Sequence, residues 1–414
     1  MNKTEHSGVC RFCGTTLHQV FIDLGISPLS NAYLTPERLK DAEKFYPLLT
    51  YVCSDCLLVQ LEQYEPPENI FSDYAYFSSY SDSWMEHGKK YTAMVIDRFK
   101  IDKTKLVVEL ASNDGYLLKN FTDKEIPVLG VEPAENVAKV AIDEGIPTIT
   151  KFFGKELAQE MVIENKKADL IIGNNVLAHV PNLNDFVGGI KLLLNHNGVA
   201  TLEFPHLLNL IKYNQFDTIY HEHFSYFSFI VVKNVFAAHN LTLFDVEELE
   251  THGGSLRIYA CHNDNETRKV TSAVESLLRR EKEAGLHDLT TYLNFSETVK
   301  KVKLDIVSTL FRIRQEGNNI IAYGAAAKGN TLLNYCGIGK DIIDYVVDRN
   351  PHKQGRYLPG TRIPIKNPEC LKNDRPNYVL ILPWNIKDEV MTQINFIRTW
   401  GGKFIIPIPT VQVV

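Results

Sequence analysis

The sequence predicts an α/β protein with two parallel sheets, preceded by a small region that carries paired cysteines. Two C-x-x-C pairs lie near the N-terminus. Short apolar runs alternate with helical patterns in residues 106–247, and the same alternation returns in residues 319–385. Apolar runs that lead into turns and helices are typical of buried parallel strands. We therefore expect a small N-terminal domain and two α/β domains.

Length and composition limit the possible functions. A chain of 414 residues is expected to form two or three domains. Its net charge of -6 argues against a nucleic-acid partner, which usually binds a basic surface. No apolar run is long enough to span a bilayer, and the polar start of the chain is unlike a signal peptide. The seven cysteines do not suggest a secreted disulfide scaffold. We expect a cytoplasmic enzyme without a membrane partner.

The paired cysteines predict a zinc site in the N-terminal domain. Cys10, Cys13, Cys53 and Cys56 offer four thiolates in two close pairs, which is the ligand set of tetrahedral zinc. A redox C-x-x-C is the alternative, but the sequence around the pairs is not thioredoxin-like. Because four protein ligands leave no open position, we expect a structural ion. The sequence Pro66-Pro67 marks the end of this domain.

An aromatic and hydroxyl-rich stretch follows this boundary. Residues 74–81 read Y-A-Y-F-S-S-Y-S and include Tyr76. Tyrosines combine packing with a hydrogen-bond donor, so the stretch either lines a polar ligand or connects two domains. A helix is predicted from Ser83 to about Phe99.

The central α/β domain starts with the strand Leu106–Leu110, which leads into a turn of small and polar residues and then a helix at Tyr116. Such an arrangement lets a ligand approach the backbone at a helix N-terminus. The next strand, Val128–Val131, ends at Glu132, a carboxylate that suits the two hydroxyls of a ribose. A turn with Gly115 as its only glycine lacks the G-x-G-x-x-G pattern of dinucleotide sites.

The pattern E-L-A-S-N-D-G, followed by V-E-P, resembles the S-adenosylmethionine (SAM) site of class I methyltransferases. Ala111 and Asn113 stand where glycines are usual in that family. The alternative is a doubly wound sheet that binds another ligand. The resemblance implies that Ala111 and Gly115 approach SAM by their backbone and that Asn113, Glu132 and Asn174 contact it. Phe152 and Phe153 would either sandwich the adenine or pack in the core.

Three more strands are predicted in the central domain, at Ala168–Gly173, Gly198–Phe204 and Leu241–Glu247. The polar residues Asn174, Asn175 and His179 follow the first of these strands. Ligands of open α/β sheets bind beyond the carboxyl ends of strands. His179 is either a ligand contact or a packing residue at a helix start.

The strongest chemical signal is the segment 220–226, Y-H-E-H-F-S-Y. Histidine is the side chain best suited to moving protons near neutral pH. Metal binding is less favoured because the segment lacks a third ligand and the H-E-x-x-H spacing. An extended segment would place His221 and His223 on the same face. Nearby, His252–Arg257 is expected to form a Gly-rich turn with a cationic end that approaches a polar substrate.

The rest of the chain predicts helices from about Asn265 to Glu316, with Arg279–Glu283 on a solvated face. A second α/β domain follows. The small residues before Lys328 suit a phosphate at a helix N-terminus. Further strands are expected at Ile342–Asp348 and in residues 378–385, where Trp384 either stacks on a base or caps the sheet.

Taken together, these segments resemble, nearly end to end, the nucleotide-sugar C-3'-methyltransferases of deoxysugar biosynthesis, which make branched sugars such as tetronitrose. The matching segments are C-R-F-C-G, Y-F-S-S-Y-S, V-E-L-A-S-N-D-G-Y-L-L, G-V-E-P-A, N-N-V-L-A-H-V, Y-H-E-H-F-S-Y-F, H-G-G-S-L-R and Y-G-A-A-A-K-G-N-T. The family implies a zinc-binding domain in residues 1–68, a SAM-binding domain with a Rossmann-like sheet in residues 69–262, and a second Rossmann-like domain for the nucleotide sugar in residues 263–414.

The resemblance also implies a mechanism. The substrate would be a nucleotide-linked, 4-keto-6-deoxysugar, with dTDP as the expected nucleotide, whose keto group acidifies the hydrogen on carbon 3. His223 is the expected base, and His221 the weaker alternative. Tyr220 and His179 would contact the sugar or the enolate oxygen, with Tyr76 behind them. Glu222 would orient a partner or bind a sugar hydroxyl.

Lys328 and Asn330 are expected to contact the diphosphate, followed by Trp384 and Asn385. The family suggests a monomer. The sequence leaves open which sugar and nucleotide are bound and the stereochemistry of methylation. The alternatives are a sugar O- or N-methyltransferase on the same fold, and a protein that binds SAM or nucleotide sugar without catalysis.

Overall fold

Three sheets organise the part of the chain that the computed structural model describes, which is residues 8–66, 78–80 and 82–414. The N-terminal sheet contains the antiparallel strands β1 (Gln19–Ser27), β2 (Tyr46–Val52) and β3 (Val59–Leu61). A short 3-10 helix, Pro36–Lys40, lies between β1 and β2. Phe21 of this sheet is fully buried and stacks on the ring of Phe295, 4.8 Å away, so the sheet packs on the later part of the chain.

The central sheet has seven strands in the order β10-β11-β8-β7-β4-β5-β6. The strands of this region are β4 (Val107–Leu110), β5 (Val128–Val131), β6 (Thr148–Ile149), β7 (Ala168–Asn174), β8 (Leu194–Pro205), β9 (Ser225–Tyr226), β10 (Leu241–Leu249) and β11 (Ser255–His262). The helices are α1 (Asp82–Phe99), α2 (Lys119–Thr122), α3 (Glu135–Asp143), α4 (Lys155–Ile163), α5 (Leu183–Leu193), α6 (Leu207–Lys212) and α7 (Phe229–Ala238). Strands β4 to β8 of the sheet run parallel, and β11 is antiparallel to β8 and β10. The strand order reverses between β4 and β7, which is where an open α/β sheet forms a ligand crevice.

The C-terminal sheet is a second Rossmann-like sheet, with the order β14-β13-β12-β15-β16-β17. Its strands are β12 (Ile320–Tyr323), β13 (Val346–Val347), β14 (Ile365–Lys366), β15 (Tyr378–Ile381), β16 (Lys403–Ile406) and β17 (Gln412–Val413). The helices of this part are α8 (Ser272–Glu283), α9 (Leu289–Leu293), α10 (Phe295–Gln315), α11 (Ala327–Cys336), α12 (Cys370–Asp374) and α13 (Lys387–Gln393). All neighbouring strands are parallel except β16 and β17. The predicted α/β class with two Rossmann-like sheets is therefore confirmed.

The three sheets are joined by direct contacts. Strand β9 comes from the central region but pairs with β3, so it completes the N-terminal sheet. The loop after β1 reaches the C-terminal sheet, where the Tyr33 hydroxyl donates to the carbonyl of Ala325 at 2.6 Å. Helix α8 follows the predicted domain boundary at residue 262, yet it packs on α7 and β10. The exact domain boundaries remain predictions.

Two local predictions in the central region are wrong. Residues 116–118 form turns, and the helix there is only the four residues of α2. The predicted Gly-rich turn ends at Gly254, because Ser255 to Arg257 belong to strand β11. The Arg257 guanidinium is buried and donates to Glu203 at 2.7 Å, so this cation is not presented to a substrate.

The predicted solvated face at Arg279–Glu283 is also wrong at its middle residue. The side chain of Glu281 is fully buried. Its Oε1 accepts hydrogen bonds from the backbone N–H of Phe229 and from Nε2 of His206, both at 2.6 Å, and its Oε2 accepts from the N–H of Ile230 at 2.8 Å. Glu281 thus satisfies the first amides of α7 and ties α8 to the end of β8.

None of the described helices is long and apolar enough to cross a membrane.

We predict that Glu281→Ala lowers the free energy of unfolding by about 3–5 kcal/mol, because it leaves three buried donors without an acceptor. Urea unfolding followed by circular dichroism measures the change. The control is Glu283→Ala on the exposed side of the same helix, which should change the value by less than about 0.5 kcal/mol. A similar small change for Glu281→Ala would contradict the assigned role of this carboxylate.

Candidate active site

The turn after β4 has the backbone of a glycine-rich turn although it holds only one glycine. Ala111 and Asn113 have φ angles of 56° and 51°, and Gly115 has a φ of 78°. Residues other than glycine rarely adopt this left-handed region, and a bulky residue there is strained. The chain therefore keeps the turn geometry that glycines usually provide at these positions.

Glu132 at the end of β5 is bound to this turn. Its Oε2 accepts a hydrogen bond from the backbone N–H of Asn113, and its Oε1 accepts from that of Ala134, both at 2.9 Å. Burial raises the pKa of this carboxyl group. Each oxygen keeps a second lone pair for a hydroxyl donor, so the predicted ribose contact fits the geometry.

Several buried polar atoms around the crevice have no hydrogen-bond partner among the described residues. They are Oε2 of Glu109, Oδ1 of Asp114 and both amide atoms of Asn174. Such atoms are normally bonded to protein, water or ligand. They lie at the carboxyl ends of β4 and β7, where the strand order reverses. A ligand with an amino group and hydroxyls, such as SAM, fits this set of atoms.

Glu109 was not among the predicted contacts. Burial raises its pKa well above the usual value, and the charges of Asp114 and Glu132 add to this effect. The sequence signal for Glu109 is a carboxylate inside the apolar strand β4.

Phe153 packs edge-on against Phe186 at a centroid distance of 5.5 Å, so of its two predicted roles it takes the one in the core.

The predicted base, His223, is held in one orientation. Its Nδ1 lies 2.8 Å from the carbonyl oxygen of Thr218, and a carbonyl only accepts, so this nitrogen carries the hydrogen. Nε2 then presents a lone pair. Burial lowers the pKa of His223 well below the usual value, and the charge of His179 lowers it further. The imidazole is therefore neutral at pH 7.

His179 and Tyr220 lie beside this ring, at centroid distances of 4.7 Å and 4.0 Å from it. The Nδ1 of His179 donates to the carbonyl of Glu222 at 2.7 Å, and burial lowers the pKa of His179 to about 4. Its Nε2 is consequently an acceptor at neutral pH. The structure thus brings together three of the predicted catalytic residues.

His221 does not share a face with His223, so that prediction is wrong. The N–H of His223 donates to the carbonyl of Tyr220 at 2.9 Å, and residues 220–223 form a turn instead of an extended segment. His221 points to the N-terminal sheet, where its Nε2 donates to the carbonyl of Pro47 at 3.2 Å and its ring packs edge-on against Tyr46. It is placed as a packing residue.

Glu222 lies between the central region and the loop after β1. Its Oε1 accepts from the side-chain amide of Asn31 at 3.2 Å, and its Oε2 has no partner among the described residues. Burial raises the pKa of Glu222 to about 7. Tyr76 lies outside the described residues. Two residues later in the chain, the N–H of Ser78 donates to Oδ1 of Asn113 at 3.0 Å.

Three of the four residues that the sequence predicts for substrate binding lie together, and Asn330 is bonded elsewhere. Lys328 is half-buried, and its Nζ donates to Oδ1 of Asn385 at 2.7 Å. By contrast, Asn330 is buried and its amide donates to the carbonyl of Ser30 at 2.5 Å. Trp384 is also buried, with its Nε1 bonded to a carboxylate of the central region. The amide nitrogen of Asn330 and the indole N–H of Trp384 therefore connect parts of the protein, and the role of both residues in substrate binding stays a prediction.

The four predicted zinc ligands converge. The sulfur atoms of Cys10, Cys13, Cys53 and Cys56 all lie within 4.8 Å of one another. The Cys10–Cys56 and Cys13–Cys53 pairs are both 3.5 Å apart. Tetrahedral Zn–S bonds of about 2.3 Å place sulfurs about 3.8 Å apart, so the cluster fits a zinc ion with four protein ligands.

Family models match three successive parts of the chain. A zinc binding domain matches residues 10–71, a methyltransferase domain matches residues 84–246, and a C-methyltransferase C-terminal domain matches residues 250–409. The fold and these sites together define a methyltransferase. The cofactors predicted from the sequence, SAM and structural zinc, agree with the methyltransferase and zinc binding models.

A curated relative specifies the family. C-methyltransferase NovU of Streptomyces niveus is 35% identical over 405 residues, which cover 98% of this chain and 96% of that relative. The chain belongs to this family of C-methyltransferases.

Solved structures are similar to a smaller part of this chain. Magnesium protoporphyrin IX methyltransferase from Synechocystis PCC 6803 with bound SAM is 14% identical; the match covers 43% of this chain and 79% of that chain, with a TM-score of 0.33. The PH0226 protein from Pyrococcus horikoshii OT3 is 15% identical over 48% of this chain and 99% of that chain, with a TM-score of 0.38. Family membership rests on the full-length relative.

We predict one zinc ion per chain, and its loss in Cys53→Ser, because three thiolates no longer close the tetrahedral site. Metal analysis of the purified protein measures the content. Thermal unfolding should show a lower Tm for this variant. Cys370→Ser, which removes a half-buried thiol outside the cluster, is the control and should retain the metal. Equal zinc content in both variants would contradict the assignment.

Proposed function

We propose that this protein transfers a methyl group from SAM to carbon 3 of a nucleotide-linked 4-keto-6-deoxysugar, with dTDP as the expected nucleotide. Membership of the C-methyltransferase family supports the reaction class. The observation that carries the proposal further is the neutral imidazole of His223, whose Nδ1 is occupied by Thr218 and whose Nε2 accepts a proton. A carbon acceptor needs such a base because its hydrogen must leave before methylation.

In the proposed reaction, Nε2 of His223 takes the hydrogen from carbon 3 as a proton. The electron pair of the C–H bond moves into an enolate with the 4-keto oxygen. Carbon 3 would then bond to the methyl group of bound SAM as the bond from that methyl to the sulfur breaks. SAM would thus supply the methyl group as an electrophile and leave as S-adenosylhomocysteine.

The neighbouring side chains have the remaining roles in the proposed reaction. Tyr220 is the donor for the enolate oxygen, because a phenol can donate a hydrogen bond to a developing oxyanion. His179 donates a hydrogen bond from Nδ1 to the backbone carbonyl of Glu222, so its Nε2 suits a sugar hydroxyl instead of an oxyanion. Glu222, with one unpartnered carboxylate oxygen among the described residues, would bind another hydroxyl. Tyr76, which lies outside the described residues, stays a candidate from the sequence alone.

We propose that Lys328 binds the diphosphate and that Asn385 orients its ammonium group. The 2.7 Å bond between them fixes the cation beside Trp384, whose indole N–H binds a carboxylate of the central region. Its charge also lowers the pKa of His223 and of His252, so Lys328 lies near the proposed base. In a sugar nucleotide the phosphate on carbon 1 is close to carbon 3, so one substrate can contact both Lys328 and His223.

Incubation with SAM and a panel of nucleotide sugars tests the function. We predict methylation of 4-keto sugars and none of the matched 4-hydroxy sugars, because only the ketone acidifies carbon 3. Product mass spectrometry detects the methyl group, and the reaction in D2O without SAM should exchange the hydrogen on carbon 3. Methylation of the 4-hydroxy sugars would identify an O-methyltransferase, and binding without SAM consumption would identify a non-catalytic protein.

We predict that His223→Ala keeps SAM binding but lowers kcat by about 10²–10⁴-fold, the usual contribution of a general base. Calorimetry measures SAM binding, and the keto-sugar assay measures kcat. His221→Ala is the matched control, since His221 packs on the N-terminal sheet, and it should retain kcat. The assignment of the base would be reversed if His221→Ala lost turnover and His223→Ala kept it.

A further inference from the structure

Asp217 is a buried carboxylate that the proposed mechanism does not use. It lies in the 3-10 helix Phe216–Thr218, directly before the turn that carries His223. Its side chain is fully buried. Oδ2 accepts a hydrogen bond from Nε1 of Trp384 at 2.7 Å, while Oδ1 has no partner among the described residues. A buried carboxylate is costly unless a cation compensates it.

Lys328 is the cation whose charge acts on Asp217. Its Nζ lies 5.0 Å from the centroid of the Trp384 ring, on the face of the indole whose N–H edge binds Asp217. The two opposite charges thus contact one indole, and Asn385, the residue after Trp384, fixes the ammonium group. An asparagine at position 217 would satisfy the Trp384 N–H equally well, so the bond to Trp384 does not explain the need for a charge.

The ionisation of the two groups is consistent with this arrangement. Burial raises the pKa of Asp217 to about 6, so the carboxyl group is largely ionised at pH 7. Burial lowers the pKa of Lys328, and the charge of Asp217 opposes that effect. Cys336 of α11 also faces Asp217, and burial raises the pKa of its thiol to about 12, so it stays neutral. His223 and His252 face Lys328 and are neutral at pH 7.

We propose that Asp217 is a positioning residue that keeps Lys328 protonated and in place for the anionic group of the substrate. The role of Lys328 as the diphosphate contact rests on the proposed function. Asp217 acts through the indole of Trp384, which fixes the distance between the two charges. Without the carboxylate, the ammonium group would release its proton at a lower pH and would no longer attract a phosphate.

A measurement without substrate tests whether Asp217 keeps Lys328 protonated. Lysine labelled with ¹³C at Cε reports the titration of Lys328 by NMR, and its signal is assigned by its loss in Lys328→Arg. In the wild type we expect an additional inflection near pH 6, where Asp217 titrates. In Asp217→Asn the inflection should vanish and the midpoint of Lys328 should fall. Asp344→Asn, which removes a charge paired with Arg314 elsewhere, is the control and should change neither.

Steady-state kinetics tests whether the charge of Lys328 serves substrate binding. Asp217→Asn should show a KM for the nucleotide sugar that increases with pH, about tenfold for each unit above the lowered pKa of Lys328. Its kcat should change less than its KM. Lys328→Ala should have a raised KM at every pH, since it has no cation to lose. A purely structural role of Asp217 would lower activity without this pH dependence.

The proposal is overturned if the Lys328 titration in Asp217→Asn matches that of the wild type, or if the KM of this variant does not depend on pH. If Asp217→Asn does not fold, the inflection near pH 6 in the wild-type signal decides the question. If the wild type turns over no nucleotide sugar, the proposed function fails, but the titration still tests whether Asp217 holds the charge of Lys328.

Discussion

The hydrogen bond between Nδ1 of His223 and the carbonyl of Thr218 is the interaction on which the rest of the site depends. It fixes both the tautomer and the ring orientation of a histidine that is 8% exposed. The carbonyl is itself held from the C-terminal part, because the hydroxyl of Thr331 in α11 donates to the next carbonyl, that of Ile219, at 3.1 Å. The orientation of the base therefore requires the docking of two regions.

The central and C-terminal sheets share one arrangement. In each, a carboxylate that follows one strand accepts a hydrogen bond from the turn that follows the neighbouring strand. In the central sheet, Glu132 accepts from the N–H of Asn113. In the C-terminal sheet, Asp348 accepts from the N–H of Ala325 at 2.7 Å. Both turns lie at a reversal of strand order, between β4 and β7 and between β12 and β15. Two Rossmann-like sheets thus face the segment that carries His223, one suited to SAM and the other to the proposed nucleotide sugar.

Sequence patterns predicted the features that depend on local order. Apolar runs such as Val128–Val131 gave the parallel strands, and the spacing of the cysteines gave the zinc cluster. The turn after β4 was recognisable without its glycines, because the flanking apolar strand and Glu132 were present. The two-residue strand β6 and the antiparallel strand β11 were missed, since one is too short for a pattern and the other starts inside a Gly-rich segment.

Features that depend on a distant partner were not predictable. Glu281 stands in a run of charged residues, and its burial is explained by the amides of α7 and the ring of His206. His221 and His223 have the same chemistry, and a turn separates their environments. Asn330 follows Lys328 in a helix start, and nothing in the local sequence shows that its amide nitrogen is bonded to the carbonyl of Ser30, 300 residues earlier. In each case the decisive atom belongs to another part of the fold.

The most direct test of the central claim is a crystal structure of the complex with S-adenosylhomocysteine and a nucleotide-linked 4-keto sugar. The account predicts Nε2 of His223 about 3–3.5 Å from carbon 3, with the bond to Thr218 intact. It also predicts the cofactor sulfur in line with the bond that carbon 3 would form to the methyl group. A sugar whose carbon 3 lies away from both the His223 ring and the Tyr220 phenol would contradict it.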